Sequence, residues 1–307
     1  NPSRLDCNEY GLGKKFKNMN LDKQKILAID TVVNPHTPEI VKMRPDWSGN
    51  FHNKKFGRDN TVLTGYSYEE MLRQMDAAGI ERSFLVANKT GRLGLPGSWH
   101  LPYEIVADAV KQFPDRFSGL AGIDPTEGMT GIVALEKAVQ DYGFIGAHGY
   151  PHWFELAPDH ARWYPFYSKC VELDVPILLQ VGQSLVYEPR QPLQSVGRPI
   201  TLDAVACHFP ELKLVGIHIG IPWAEEMIAM AWKHENVYII ADAHAPKYWP
   251  ESFVRFIDSY GRHKVMIGTD FPVLSFERYR VEVDALALRP ESYQAFLREN
   301  AIRVFGI

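Results

Sequence analysis

The sequence predicts a single α/β domain, a (β/α)8 TIM-type barrel with long loops over its C-terminal mouth. Three observations lead there. Eight short β-rich runs alternate with segments of helical period from residue 26 to the C-terminus, the order that builds a parallel sheet sheathed in helices. The chain has 307 residues, in keeping with the about 250 that such a barrel typically takes. No linker, low-complexity tract or charge block divides it, so 26–307 reads as one domain behind an N-terminal extension at 1–25. A doubly wound open sheet is the competing arrangement, but no Gly-x-Gly-x-x-Gly follows a strand, which leaves a dinucleotide site without support.

In chain order, the first strand covers 26–33. A helix over 67–79 (SYEEMLRQMDAAG) is opened by the Ser67 cap with Glu70 three positions on, and closed by Gly79. Strands two and three, at 83–87 and 118–123, flank a helix at 101–113, and a helix at 130–142 leads to strand four at 144–148. Strands five to eight lie at 176–181, 212–218, 237–241 and 265–267, with helices expected at 159–174, 200–208, 223–233, 250–260 and 291–301. Two long insertions interrupt this rhythm. Residues 43–65 carry Trp47, Phe51, His52 and Phe56, and suit a cover over the mouth or a subunit contact. Residues 182–199 (GQSLVYEPRQPLQSVGRP) hold too many turn residues for a helix and read as a lid.

Composition narrows the class. With 46% hydrophobic and 23% charged residues and a net charge of −4, the chain suits a soluble enzyme for a small-molecule substrate, and neither nucleic acid nor an anionic membrane is expected as partner. Cys7, Cys170 and Cys207 are odd in number and far apart, as reduced cytoplasmic thiols are. No apolar stretch reaches the roughly 18 residues of a membrane span. A homo-oligomer stays open.

The strand ends carry the chemistry. In 264–272 (KVMIGTDFP) an apolar run gives way to Asp270, and Pro272 cannot continue a central strand. Strand four ends in His148, strand five in Gln180, strand six in His218 and strand seven in Asp242-Ala243-His244. A barrel gathers such ends around one mouth, where imidazoles and carboxylates suit a divalent ion such as Zn, Mn or Fe. The expected ligands are His148, His218, His244 and Asp270. For catalysis the candidates are Asp270, His218 and Asp242, the last orienting a histidine. Loop residues His152 and Arg198, with Gln180, are the candidates for substrate binding, and the aromatics Tyr150, Trp153, Phe154, Trp163, Tyr164 and Tyr167 for a pocket wall or for core.

Four stretches, 113–125 (FPDRFSGLAGIDP), 211–223 (ELKLVGIHIGIPW), 264–272 and 298–307 (RENAIRVFGI), resemble in their order the amidohydrolase-related family that includes aminocarboxymuconate-semialdehyde decarboxylase, resorcylate decarboxylases and pyrone-dicarboxylate lactonases. The resemblance implies a TIM-type barrel, with His218 matching the strand-six catalytic histidine and Asp270 the strand-eight aspartate that binds metal or acts as base. Family members carry a His-x-His pair on strand one, where Val32 and Asn34 stand here, and a strand-five histidine where Gln180 stands. A relocated ion and a metal-free site of the lactonase kind are therefore both open. The expected activity is that of a metal-dependent hydrolase or lyase, a decarboxylase included, acting on a carbonyl-bearing molecule, aromatic or thioester-linked. A non-heme iron oxygenase on the relocated site, a metal-free hydrolase and a non-catalytic ligand-binding barrel are the alternatives.

Overall fold

A computed structural model describes residues 26–56 and 63–307; the expected extension at 1–25, with Cys7, lies outside them, as does the side chain of Phe56. Eight parallel strands, β1 (Ala28–Val33), β2 (Ile80–Ala87), β3 (Phe117–Ile123), β4 (Gly146–Gly149), β5 (Ile177–Gln180), β6 (Leu214–Ile217), β7 (Val237–Ala241) and β8 (Val265–Ile267), pair in sequence order. Hydrogen bonds carry β8 back to β1: Thr31 Oγ1 donates to the Ile267 carbonyl at 2.6 Å, and the backbone N–H of Asp270 donates to Val32 O at 3.0 Å. The result is the expected barrel.

Alternation along the strands makes two cores. Ile29, Val32, Phe84, Val86, Leu120, Leu178, Val215, Ile217, Ile240 and Met266 fill the interior, while their neighbours such as Leu85, Ala121, Ile177, Leu179 and Ile239 face the helices. The C-terminal helix Asn300–Phe305 closes the lower end: Ala301, Val304 and Phe305 join the interior cluster, and Phe305 meets Phe84 edge to face at 4.7 Å. Asn300 holds this plug by donating to the carbonyls of Arg262 and Val265, both at 2.8 Å. Access to the interior is thereby directed to the other end.

Local signals place the helices. Ser67 Oγ accepts from Glu70 N at 3.2 Å and starts Tyr68–Ala77, whose Met71 and Met75 pack inward. The expected single helix over 291–301 is three pieces, Pro290–Gln294, a π-helical turn Ala295–Glu299, and Asn300–Phe305. A helix outside the expected set, Phe276–Asp284, begins at the Ser275 cap. Residues 38–43 and 46–56, reaching into the first insertion, are also helical. Thr37 caps Pro38–Met43, with Pro38 in the first turn where it loses no hydrogen bond, and Asp46–Phe56 follows.

Candidate functional site

Three strand ends break from extended backbone at the residues that carry chemistry. His218 after β6 has φ 66°, Ala243 beside Asp242 after β7 has φ 61°, and Asp270 after β8 has φ 52°. Left-handed conformation at a non-glycine residue costs about 1–3 kcal/mol where it is strained and persists only where surrounding contacts impose it. Here the contacts are visible. Asp242 is fully buried and takes the backbone N–H of His218 on Oδ1, which holds the turn after β6. Asp270 is held by its own N–H to Val32 O and by Asn34, whose Nδ2 donates to Oδ1 at 2.7 Å. Below them Gly268 leaves the space: a Cβ there would lie 2.7 Å from Ile240 Cγ2 and 2.9 Å from Asp242 Cβ.

The three side chains converge. His218 Nε2 lies 3.4 Å from Asp242 Oδ2 and 3.7 Å from Asp270 Oδ2. On the other side of the ring Gln180 Nε2 approaches His218 Nδ1 at 3.1 Å. Burial, followed by the Asp270 charge, pushes Asp242 well above the ordinary carboxylate range. Burial also raises Asp270 to about 7, against the opposing pull of the Asn34 hydrogen bond and the Arg44 charge. The imidazole of His218 is held well below its usual range by burial and by the nearby histidines 244, 148 and 152. Two carboxyl groups that resist ionisation next to a neutral imidazole are a cluster short of positive charge.

This trio fits a divalent cation. Asp242 Oδ2 is buried and has no hydrogen-bond partner among the described residues. Separations of 3.4 and 3.7 Å are those expected between neighbouring ligands on an ion bonded at about 2.1 Å. His218, Asp242 and Asp270 form a set whose ligand atoms all lie within 4.8 Å of one another. The expected ligand set changes accordingly. Asp242 moves from orienting residue to ligand candidate, whereas neither His148 nor His244 completes such a set among the described residues. His148 points inward from β4 but lies edge-on to Tyr150, 4.4 Å between centroids, with neither ring nitrogen partnered among the described residues, and burial lowers it to about 3. His244 lines the pocket above the trio.

Above the trio lies a cavity of about 110 Å³. Trp47, Phe51, Trp99, Tyr150 and Trp153 wall it, with Trp47 and Trp153 in contact at 5.0 Å. Leu185 and Val186 from the segment 182–199 complete the rim, as a lid would. The cation in this wall is Arg44, which bonds the Pro35 carbonyl at 3.0 Å and stacks on Trp99 at 5.2 Å. Burial lowers it only to about 10, with the Tyr150 and Asp270 interactions opposing that fall, so it stays charged at neutral pH. Arg44 was passed over in the sequence because nothing in Met43-Arg44-Pro45 marks one basic residue of an insertion from another.

Of the expected substrate contacts, Gln180 lines the pocket. His152 is buried under the lid, where its Nδ1 accepts from the Val196 N–H at 3.1 Å, so it fastens the loop. Arg198 is exposed, pairs with Glu226 and stacks on Trp223, and does not line the pocket. A guanidinium on a lid takes whichever carboxylate the fold brings near, and here Glu226 of the helix Ala224–Lys233 is that carboxylate.

The family model described as amidohydrolase matches residues 66–307. This chain belongs to the amidohydrolase family. Among its relatives, γ-resorcylate decarboxylase of Polaromonas sp. (strain JS666 / ATCC BAA-500) is 28% identical over 253 residues, 66% of this chain and 76% of that protein. The 2-keto-4-carboxy-3-hexenedioate hydratase of Sphingobium sp. (strain NBRC 103272 / SYK-6) is 40% identical over 88 residues, 26% of each chain. In structure, an uncharacterized TIM-barrel protein from Bordetella bronchiseptica matches with TM-score 0.73 at 23% identity over 91% of this chain and 98% of its own. The 5-carboxyvanillate decarboxylase of Novosphingobium aromaticivorans, with manganese and 4-hydroxy-3-methoxy-5-nitrobenzoic acid bound, matches with TM-score 0.71 at 18% identity over 92% and 97%. Among the described residues no helix is long and apolar enough to cross a membrane.

Proposed function

We propose that this chain is a divalent-metal-dependent lyase that removes CO2 from an aromatic carboxylic acid. The observation that carries the reading is the trio of His218, Asp242 and Asp270 beneath an aromatic-walled cavity with a cation, Arg44, in its wall. Manganese in structurally similar decarboxylases supports a hard ion, as do two carboxylates in the set. The trio has one imidazole and two carboxylates, the reverse of the two-histidine, one-carboxylate arrangement of iron oxygenases, which argues against oxygenation.

His218, Asp242 and Asp270 would hold the ion, which when bound supplies Lewis-acid charge for the acid's oxygens. Arg44 binds an anionic oxygen of the substrate by charge-assisted hydrogen bonds. Trp47 and Trp153 hold the ring, and the lid excludes water. Asp270 lines the cavity and would carry the proton for this step. Breaking the bond between ring and carboxylate leaves its electron pair on the ring carbon, and the Asp270 proton goes to that carbon as CO2 departs. For His218 to ligate through Nε2, its proton must sit on Nδ1, and the Gln180 amide then turns its oxygen to that N–H.

The test is CO2 release by Mn2+-loaded protein from 2,6-dihydroxybenzoate and 5-carboxyvanillate, with release abolished in Asp270→Asn. A second reading, addition of water to an unsaturated acid, is favoured by the 40% match to a hydratase. Loss of alkene absorbance without CO2 would replace the first reading with it.

A further inference from the structure

Strand one, which carries Val32 and no imidazole at its end, reaches the site through Asn34. The Asn34 amide nitrogen donates to Asp270 Oδ1 at 2.7 Å and to the Phe271 carbonyl at 3.1 Å. Its oxygen accepts from Asn88 Nδ2 at 3.1 Å, and Asn88 Oδ1 accepts in turn from the Tyr150 hydroxyl at 2.7 Å. Every direction in this chain is determined. A backbone carbonyl only accepts, so Asn34 must point its nitrogen at Phe271 and Asp270; Asn88 must then donate to Asn34, and Tyr150 must donate to Asn88. The chain runs one way, from the pocket wall at Tyr150 to the trio at Asp270.

We infer that Asn34, Asn88 and Tyr150 are positioning residues acting in series, a hydrogen-bonded clamp that turns Asp270 so that Oδ1 is tied to strand one and Oδ2 faces His218. Val32 fills interior space beside it, and Asn34 gives Asp270 a neutral donor. Because the Tyr150 hydroxyl proton is committed to Asn88, its oxygen meets the pocket as an acceptor, so a ligand hydroxyl seated there would bear on the same chain. This inference rests on the trio's holding a cation, and the links act through Asp270, so their effects cannot add.

The experiment measures Mn2+ binding to the full chain by titration calorimetry, and the zero-field splitting of the bound ion by electron paramagnetic resonance. The proteins are the wild type, Asn34→Ala, Asn88→Asp, Tyr150→Phe and the double variant Asn34→Ala/Asn88→Asp. Loss of an outer partner costs about 10–100-fold in affinity. Asn34→Ala is expected to weaken Mn2+ about tenfold with a changed splitting, Asn88→Asp and Tyr150→Phe less, and the double variant no more than Asn34→Ala alone. Tyr150→Phe keeps the ring on His148, so it reports even if a buried asparagine variant misfolds. Additive losses, or an unchanged splitting in Asn34→Ala and Tyr150→Phe, overturn the clamp and leave the cation reading intact. A wild type that takes up no Mn2+ overturns both.

Discussion

The ends of β6, β7 and β8 turn left-handed and present an imidazole and two carboxylates, whereas the ends of β1 and β2 present Val32, Asn34 and Asn88 and pass into loops that carry Arg44, Trp47 and Trp99. The carboxylate of β1, Asp30, is tied to Thr269 through Oδ1 at 3.0 Å and Oδ2 at 2.6 Å, so it closes the barrel. On the proposed function, one half of the mouth would hold a cation and move a proton, and the other would orient those groups and recognise the ligand. A barrel permits this division because each strand end is followed by its own loop, and either can change without repacking the interior.

The comparison is broken most directly by exchanging the halves' roles. Asp270→Ala and Asp242→Ala are each expected to lower Mn2+ affinity a hundredfold or more, while Val32→Ala changes it less than threefold. Metal analysis after gel filtration decides, and equal loss in all three would mean that both halves ligate. Next in size is Arg44→Leu, which should raise KM for the aromatic acid about tenfold or more, the range for losing a charge-assisted hydrogen bond, with metal content unchanged. A fall in kcat with KM constant would move Arg44 into the chemical half.

The pH response sharpens the same contrast. Asp30 and Asp270 are raised to about 7, so the metal-free folded chain holds protons that the unfolded chain has released, and their contribution to stability is lost as pH rises towards and through 7. His148, lowered to about 3, and His152 and His244, lowered to about 4, stay neutral where the unfolded chain's are charged. Their contribution is lost as pH falls from about 6.5. Thermal melts should therefore peak near about pH 6.5, and Mn2+ should lift the alkaline side because it favours the ionised carboxylates. A metal-free maximum at pH 8 or above would contradict the burial of these acids. The smallest effect is expected for Arg198→Ala: an exposed ion pair contributes little, and KM should stay within twofold.

Periodicity located all eight strands, because the alternation of apolar residues that fills a barrel is written locally. Tyr68–Ala77 was legible from Ser67 and Gly79 for the same reason. The helix Phe276–Asp284 was not, since its inward residues Phe276, Tyr279 and Val283 are interleaved with five charged positions that mask the apolar stripe. At the site, strand-end position pointed to Gln180, His218, Asp242, His244 and Asp270, all of which lie at the mouth. The same rule applied to β2 would have found Asn88, one residue past Ala87, and Arg44 had no such signal.

What the sequence by itself determined is the order of strands and the identity of the residues at their ends, Val32 and Asn34 on strand one included. Which of those residues meet was decided by the tertiary structure. Asp242 became a ligand candidate because the left-handed turn at His218 swings the imidazole back over β7, and His148 stayed apart, edge-on to the Tyr150 ring. Arg198 was drawn to Glu226, twenty-eight residues on, and Arg44 to the pocket wall by stacking on Trp99. Strand position is encoded in a local period, but a side chain's partner depends on backbone turns and on neighbours distant in sequence, and those exist only once the barrel has closed.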